Sequence, residues 1–226
     1  WNNKALRQAL AYGIDRQTYV NVSLNGNGRI AYTSEGGIGW TTDPSLKPIV
    51  SDKAIAKQKL AEAGFPNGTI VPAYCDSTTA GIRDCEVYQS MLSDVGLKLD
   101  IIPTLTSDFT PKQTKREITS RFITSWRPRA DPDGRLRILF YSTGGQSPLS
   151  GYKNPELDKL LDQAATVFDT AKAKQVYSDV EKLVIQDAPF VVIAYSNNYA
   201  GLNAKVQNFA WIPDFQWRLG DLWIEK

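Results

Sequence analysis

Residues 70–101 read IVPAYCDSTTAGIRDCEVYQSMLSDVGLKLDI, and the periodicity changes twice within them. Ile70 to Cys75 is a short apolar run of strand length. From Arg83 to Val95 the apolar residues Tyr88, Met91, Leu92 and Val95 recur at helical spacing on one face, and Gly96 stops that helix. Leu97, Leu99 and Ile101 then alternate with Lys98 and Asp100, the period of a strand with one buried face. A strand, a helix and a second strand in so short a stretch set the class: an α/β chain.

The alternation extends both ways. Upstream, Leu6, Ala9, Leu10, Gly13 and Ile14 follow the spacing of a one-striped helix. The stretch through Gly26, Gly28, Gly36, Gly37, Gly39 and Pro44 reads as a long ordered loop. Ser51 is then expected to cap a helix running to Gly64, with Pro66 beyond it. Downstream come a short helix from Phe109 to Glu117, a strand from Arg121 to Trp126 and a proline-punctuated turn. Asp131 at N-cap, Pro132 at N1 and Asp133 in the first turn open a helix through Leu136, Ile138 and Leu139. Asn154 to Asp187 forms two helices. The first buries Leu157, Leu160, Leu161 and Ala164; the second buries Val176, Val180, Leu183 and Val184. Phe190 to Tyr195 is nearly continuous apolar, as in an internal strand. The remainder is aromatic-rich loop and short strand, without repeat or low-complexity tract.

Composition narrows the function classes. The chain has 226 residues, 42% hydrophobic and 22% charged, the balance of a globular protein with a real core. No apolar run reaches the ~18 residues that cross a bilayer. With 26 Lys+Arg against 24 Asp+Glu there is no basic footprint for nucleic acid. Histidine is absent, which removes His-based acid–base catalysis, Ser-His-Asp and Cys-His constellations and imidazole zinc sites. Two cysteines do not make a four-thiolate centre, so neither a metal nor a cofactor is expected. The chain opens Trp1-Asn2-Asn3-Lys4 directly into helical periodicity, without a signal-peptide pattern, and is read as part of a longer polypeptide.

Several stretches in order resemble the extracytoplasmic solute-binding proteins of ABC importers, the peptide, dipeptide and nickel-binding family. ALRQALAYGIDRQTYV (5–20) is similar to the family's opening helix for its third domain, and SDKAIAKQKLAEAGFPNG (51–68) to its following helix and turn. FITSWRPRADPDGRL (122–136) is similar to the strand that ends in Trp and runs into an Asp-Pro turn. GYKNPELDKLLDQAATVFD (151–169) with AKQVYSDVEKLVIQDAPFVVIAY (173–195) is similar to the paired helices and the strand after them. VQNFAWIPDFQWRLGDLWIEK (206–226) looks like the C-terminal tail. Family members are about twice this size. The resemblance therefore implies a mixed sheet flanked by helices, one lobe of a two-lobed periplasmic-binding-protein-like architecture. Residues 1–205 would be the solute-binding lobe and residues 206–226 a tail that returns to the other lobe.

It also implies a function and a site. The lobe would bind, without chemistry, a peptide, opine, oligosaccharide or metal chelate outside the cytoplasm, and work with the missing N-terminal lobe and a membrane permease. A ligand-sensing domain, or a His-free hydrolase on the same scaffold, are the alternatives. The family's Trp matching Trp126 lines the solute cleft; a cap on the core is the other role such a Trp fills. Peptide-binding members carry an Asp three residues after this Trp, where this chain has Arg129. With Arg127 beside it, Arg129 suits a carboxylate or phosphate by bidentate bonding, unless it is a solvated or lobe-interface residue. Phe109, Trp40, Phe209 and Trp211 occupy positions where the family places cleft aromatics, and ordinary packing is the alternative for each.

Between Lys112 and Arg137 eight Lys/Arg face Glu117, Asp131 and Asp133, a local positive excess that is either a solvated face or a lure for anions. Cys75 ends one strand and Cys85 falls in the first turn of the next helix. An even count in an exported chain points to one disulfide, with two buried thiols as the other possibility.

Overall fold

The computed structural model describes residues 2–34, 40–41, 43–118, 120–122, 131–210 and 219–225, with backbone alone at Pro148 and Leu149. Its elements in chain order are α1 (Lys4–Gly13), α2 (Arg16–Val22), β1 (Gly28–Ile30), α3 (Lys53–Glu62), β2 (Thr69–Asp76), α4 (Thr79–Ser93), β3 (Leu97–Thr104), α5 (Thr106–Thr114) and β4 (Arg121–Phe122). Then follow α6 (Asp133–Phe140), α7 (Ser147–Ser150), α8 (Pro155–Ala164), α9 (Thr170–Asp187), β5 (Ala194–Ser196), β6 (Val206–Gln207) and β7 (Trp223–Ile224).

The centre is a parallel sheet in the order β3-β2-β4, with Thr69 opposite Leu97 and Tyr74 opposite Arg121. Antiparallel pairing occurs in separate two-stranded ribbons, β1 with β5 and β6 with β7. Alternation divides β2 cleanly: Val71, Ala73 and Cys75 are buried on one face. On that face they meet Leu97 and Leu99 of β3, Ala9 and Leu10 of α1, Ala56 and Leu60 of α3, and Tyr88 and Leu92 of α4. This is the first core. Gly96, at φ +90°, makes the left-handed turn that ends the α4 region and lets β3 start at once.

The second core is all helix. Leu136, Leu139 and Phe140 of α6 close on Leu157 and Leu161 of α8 and on Val176, Val180 and Val184 of α9. The segment after α9 ties the two together: Phe190 packs edge-on against Phe140 at 5.6 Å between ring centroids, while Val191 and Ile193 pack on the first core. Polar ties cross the same seam. Asp187 accepts from Lys4 Nζ at 2.7 Å, and from Tyr152 Oη and Asn154 Nδ2 at 2.8 Å each. Its carbonyl accepts from Arg7 Nε and Nη2 at 3.1 and 2.9 Å.

Cys75 and Cys85 form the expected disulfide, both fully buried, with Cα atoms 6.4 Å apart. The helix beneath it begins earlier than its apolar stripe indicates. Thr78 caps α4, its side chain accepting from the Gly81 amide at 3.2 Å. Cys85 therefore sits in mid-helix rather than the first turn.

Other boundaries shift for similar local reasons. Asp52, not Ser51, caps α3, taking the amides of Ala54 and Ile55 at 2.8 and 3.0 Å, because a carboxylate is a stronger acceptor for helix-end amides. Pro132 rather than Asp131 is the N-cap of α6, and Asp131 instead accepts from the Asp133 amide at 3.0 Å, one residue outside the helix. The short helix expected from Phe109 to Glu117 is Thr106–Thr114.

The supposed long loop contains α2, opened by the Asp15 side chain on the amides of Gln17 and Thr18, and also β1. Phe190–Tyr195 is not an internal strand. Only Ala194–Ser196 is extended pairing, in the β1–β5 ribbon, and the apolar run before it is spent bridging the two cores. Of the strand expected over Arg121–Trp126, Arg121 and Phe122 are β4 and the rest lies outside the described residues.

Candidate functional site

In parallel α/β sheets the loops leaving the carboxyl ends of the strands are where ligands bind. Here β2 ends at Asp76, β3 at Thr104, and β4 leads from Phe122 into residues 123–130. The strand-end loops bring three polar groups to this edge. Asp76 accepts from the Thr78 amide at 3.0 Å and from the Thr106 hydroxyl. These two bonds, the Thr106 one first, hold its carboxyl below the ordinary value despite some burial, with Arg121 adding a smaller pull. The helix that follows presses against this strand end. A Cβ on Gly81 would lie 2.5 Å from the Asp76 carbonyl, so only glycine lets the first turn of α4 pack there.

Arg121 enters from β4. Its guanidinium carbon lies 4.1 Å from the centroid of the Phe109 ring, within cation–π range. Burial lowers its proton affinity and the Asp76 charge opposes that loss. Its Nε is buried and has no hydrogen-bond acceptor among the described residues. Phe109 is itself 1% exposed, so the ring belongs to the packing under the arginine and the guanidinium is the polar group presented above it.

The other expected aromatics are dispersed. Trp40 is 45% exposed and stands edge-on to Tyr177 of α9, with centroids 5.8 Å apart. The chain around it is pinned to the same helix. The Ser34 amide and hydroxyl donate to the buried Glu181 carboxylate at 3.2 and 2.7 Å, and the Ser178 hydroxyl donates to Asp43. Phe209 is half-buried just after β6. Trp126, Arg127, Arg129 and Trp211 lie outside the described residues. Asp76, Thr106 and Arg121 are absent from the sequence-based candidates. The signal for Arg121 was a charge opening an otherwise apolar strand, RFI, whose partner strand ends in Asp76, two residues past the Tyr74 that Arg121 faces.

The Asp43 carboxyl is held at about 2, chiefly by the Ser178 hydroxyl and then by the bonds from Ser45. A carboxyl whose folded pKa lies below its ordinary 3.8 contributes stability above that value and loses it as pH falls through the folded one. Asp43→Asn is expected to flatten the acid limb of stability between pH 4 and pH 2, read as urea midpoints across that range. An acid limb unchanged by the substitution would remove Asp43 from the account.

A small cavity lies between the cores, lined by Arg16, Tyr32, Glu181, Ala188 and Val192, with a volume of about 30 Å³. That is room for a water or two, not for a solute.

A helix-flanked parallel sheet that gathers polar groups at its carboxyl edge, joined to a helical second core, is the architecture of one lobe of a periplasmic-binding-protein fold. The chain belongs to the bacterial extracellular solute-binding proteins of family 5, whose middle-region model matches residues 1–148. Proteins of this family are periplasmic or extracytoplasmic transport-binding proteins rather than enzymes.

Among relatives, heme-binding protein A of Haemophilus influenzae is 26% identical over 219 residues, covering 94% of this chain and 40% of that protein. The glutathione-binding protein GsiB of Pectobacterium atrosepticum is 27% identical over 227 residues, covering 95% of this chain and 43% of that protein. Among solved structures, HbpA2 from Haemophilus parasuis superposes with a TM-score of 0.84 at 25% identity, over all of this chain and 46% of that one. The oligopeptide-binding protein AppA of Bacillus subtilis, in complex with a nonapeptide, gives 0.86 at 21% identity, over all of this chain and 48% of that one, and shows the fold. The chain thus spans less than half the length of the proteins it matches.

Proposed function

We propose that this chain is the solute-contacting lobe of an extracytoplasmic receptor that captures a peptide-like solute bearing an anionic group and hands it to an ABC permease without altering it. The observation that carries this reading is the ordered family match across residues 1–148, on a lobe whose strand ends open to one edge. Two-lobed receptors of this kind trap solute by hinge closure, each lobe giving part of the contact. Residues 1–205 are read as this lobe and residues 206–226 as the tail that reaches the other. The relatives named for glutathione and for peptides make glutathione and short peptides the first solutes to test. Opines and metal chelates rank lower, since the proteins named for them are likenesses of fold alone.

Arg129 carries the expected charge preference. Where peptide-binding members place an Asp for a ligand amine, a permanent cation would repel an ammonium and grip a carboxylate through two parallel N–H bonds. Thermal-shift screening of the two-lobed receptor against glutathione and di- and tripeptides selects the solute, and calorimetry then measures Arg129→Ala. The substitution is expected to cost about 1.5–3 kcal/mol of binding, with Arg129→Lys recovering only part because the planar fork is lost. An unchanged dissociation constant in Arg129→Ala would put Arg129 on the surface and leave the anion preference without its carrier.

A further inference from the structure

We propose that Arg121 is a second specificity-determining residue of this site, one that binds a carboxylate of the solute. The inference rests on the receptor reading above and extends it to a residue with a described environment.

Several of the described arginines are occupied within the lobe. Arg7 and Arg16 are spent on backbone carbonyls. Arg83 donates to the Val22 carbonyl at 2.8 Å, and Arg137 is held by Asp133 and Asp162. Arg121 differs from these. It is half-buried, its Nε is shielded from solvent, and no acceptor among the described residues meets that Nε. A buried guanidinium donor without an acceptor is costly. A protein keeps such a donor readily where a ligand supplies the acceptor.

Geometry places it where a solute would pass. Arg121 sits opposite Tyr74 on the edge strand of the parallel sheet, two residues before the level of Asp76, at the carboxyl edge. The Phe109 ring, 4.1 Å from the guanidinium carbon, holds the group by a cation–π contact that uses none of its N–H donors. Asp76 is the counter-charge, but it acts through its field: its own hydrogen bonds run to Thr78 and Thr106. The result is a guanidinium held over an aromatic ring with its Nε lacking an acceptor among the described residues, a planar group that suits the two oxygens of a carboxylate.

The experiment is calorimetry on the two-lobed receptor with two probes, glutathione and glutathione with both carboxyls amidated. Wild type should prefer the acid. Arg121→Gln should weaken glutathione binding roughly 10- to 100-fold while changing the amide little, so that the preference collapses. Arg121→Lys should recover part of it. Asp76→Asn removes the counter-charge and keeps one amide oxygen to accept from the Thr78 amide, while the Thr106 hydroxyl, bonded in wild type to the other carboxylate oxygen, turns to accept from the new Nδ2. It should tighten glutathione binding roughly two- to five-fold, and it tests the same claim should the Arg121 variants fold poorly.

Equal losses for acid and amide in Arg121→Gln would make Arg121 a packing residue on Phe109 and overturn the proposal. Unchanged affinity for both probes would overturn it too, leaving the receptor reading intact. If neither glutathione nor any di- or tripeptide binds wild type, the receptor reading fails and this inference falls with it.

Discussion

Arg16→Ala is expected to cost about 3–5 kcal/mol of folding free energy, because one side chain satisfies backbone carbonyls from three separate segments. Arg16 is 6% exposed. It donates to the carbonyls of Val192 at 2.9 Å, Ala11 at 3.2 Å and Ile49 at 2.7 Å. These lie in the bridge after α9, near the end of α1 and in the segment before α3. Burial pulls its pKa down to about 10, partly opposed by Tyr88 and Asp15, yet it stays charged at neutral pH. Removing it strands three partly buried acceptors and enlarges the cavity it lines.

A stability of 5–15 kcal/mol is typical of a domain, so this loss is a large fraction, and the melting temperature should fall by roughly 10 °C. Arg16→Met separates the causes. It refills volume but offers no donors, so it should destabilise nearly as much as alanine in urea titrations. Full recovery in Arg16→Met would show that volume, not hydrogen bonding, holds the seam between the cores.

The second large effect concerns affinity. The 226-residue chain alone should bind the solute at least about 1000-fold more weakly than the receptor with both lobes, a difference of ~4 kcal/mol. The cavity between the cores holds no more than a water or two, and at the strand ends Thr106 is exposed while Asp76 and Arg121 are half-buried. An opposing lobe would exclude water from these groups and add a second set of contacts. Calorimetry on both proteins with one solute measures the ratio. Nanomolar binding by the isolated chain would remove the need for a second lobe.

What the sequence made legible were the features set by spacing along a single segment. The alternation of Leu97, Leu99 and Ile101 against Lys98 and Asp100 describes one real face of β3, although Ile101 is only half-buried. The stripes Leu157–Leu161–Ala164 and Val176–Val180–Val184 are the faces that close the second core. Cys75–Cys85 was legible from count and context, and its span is local.

What was not legible depends on contacts across long separations or on competition between adjacent polar residues. Arg16 was not singled out in the sequence, and only the fold brings Val192 and Ile49 to it. Ser51 was read as the cap of α3, and the neighbouring Asp52 carboxylate took the amides instead. The apolar run 190–195 resembled a buried strand because burial between two cores and burial inside a sheet leave the same mark on a short segment. Phe109 was expected as a cleft aromatic from its position and is a buried ring, whereas the group above it, Arg121, needed the register of β4 on β2.

The central claim is capture without chemistry, and native mass spectrometry of the two-lobed receptor incubated with glutathione or the peptide selected by thermal shift tests it most directly. The account expects a one-to-one complex from which the solute is released with its mass unchanged after prolonged incubation. Release of a cleaved or otherwise altered solute, or no complex with any solute of that class, would contradict it.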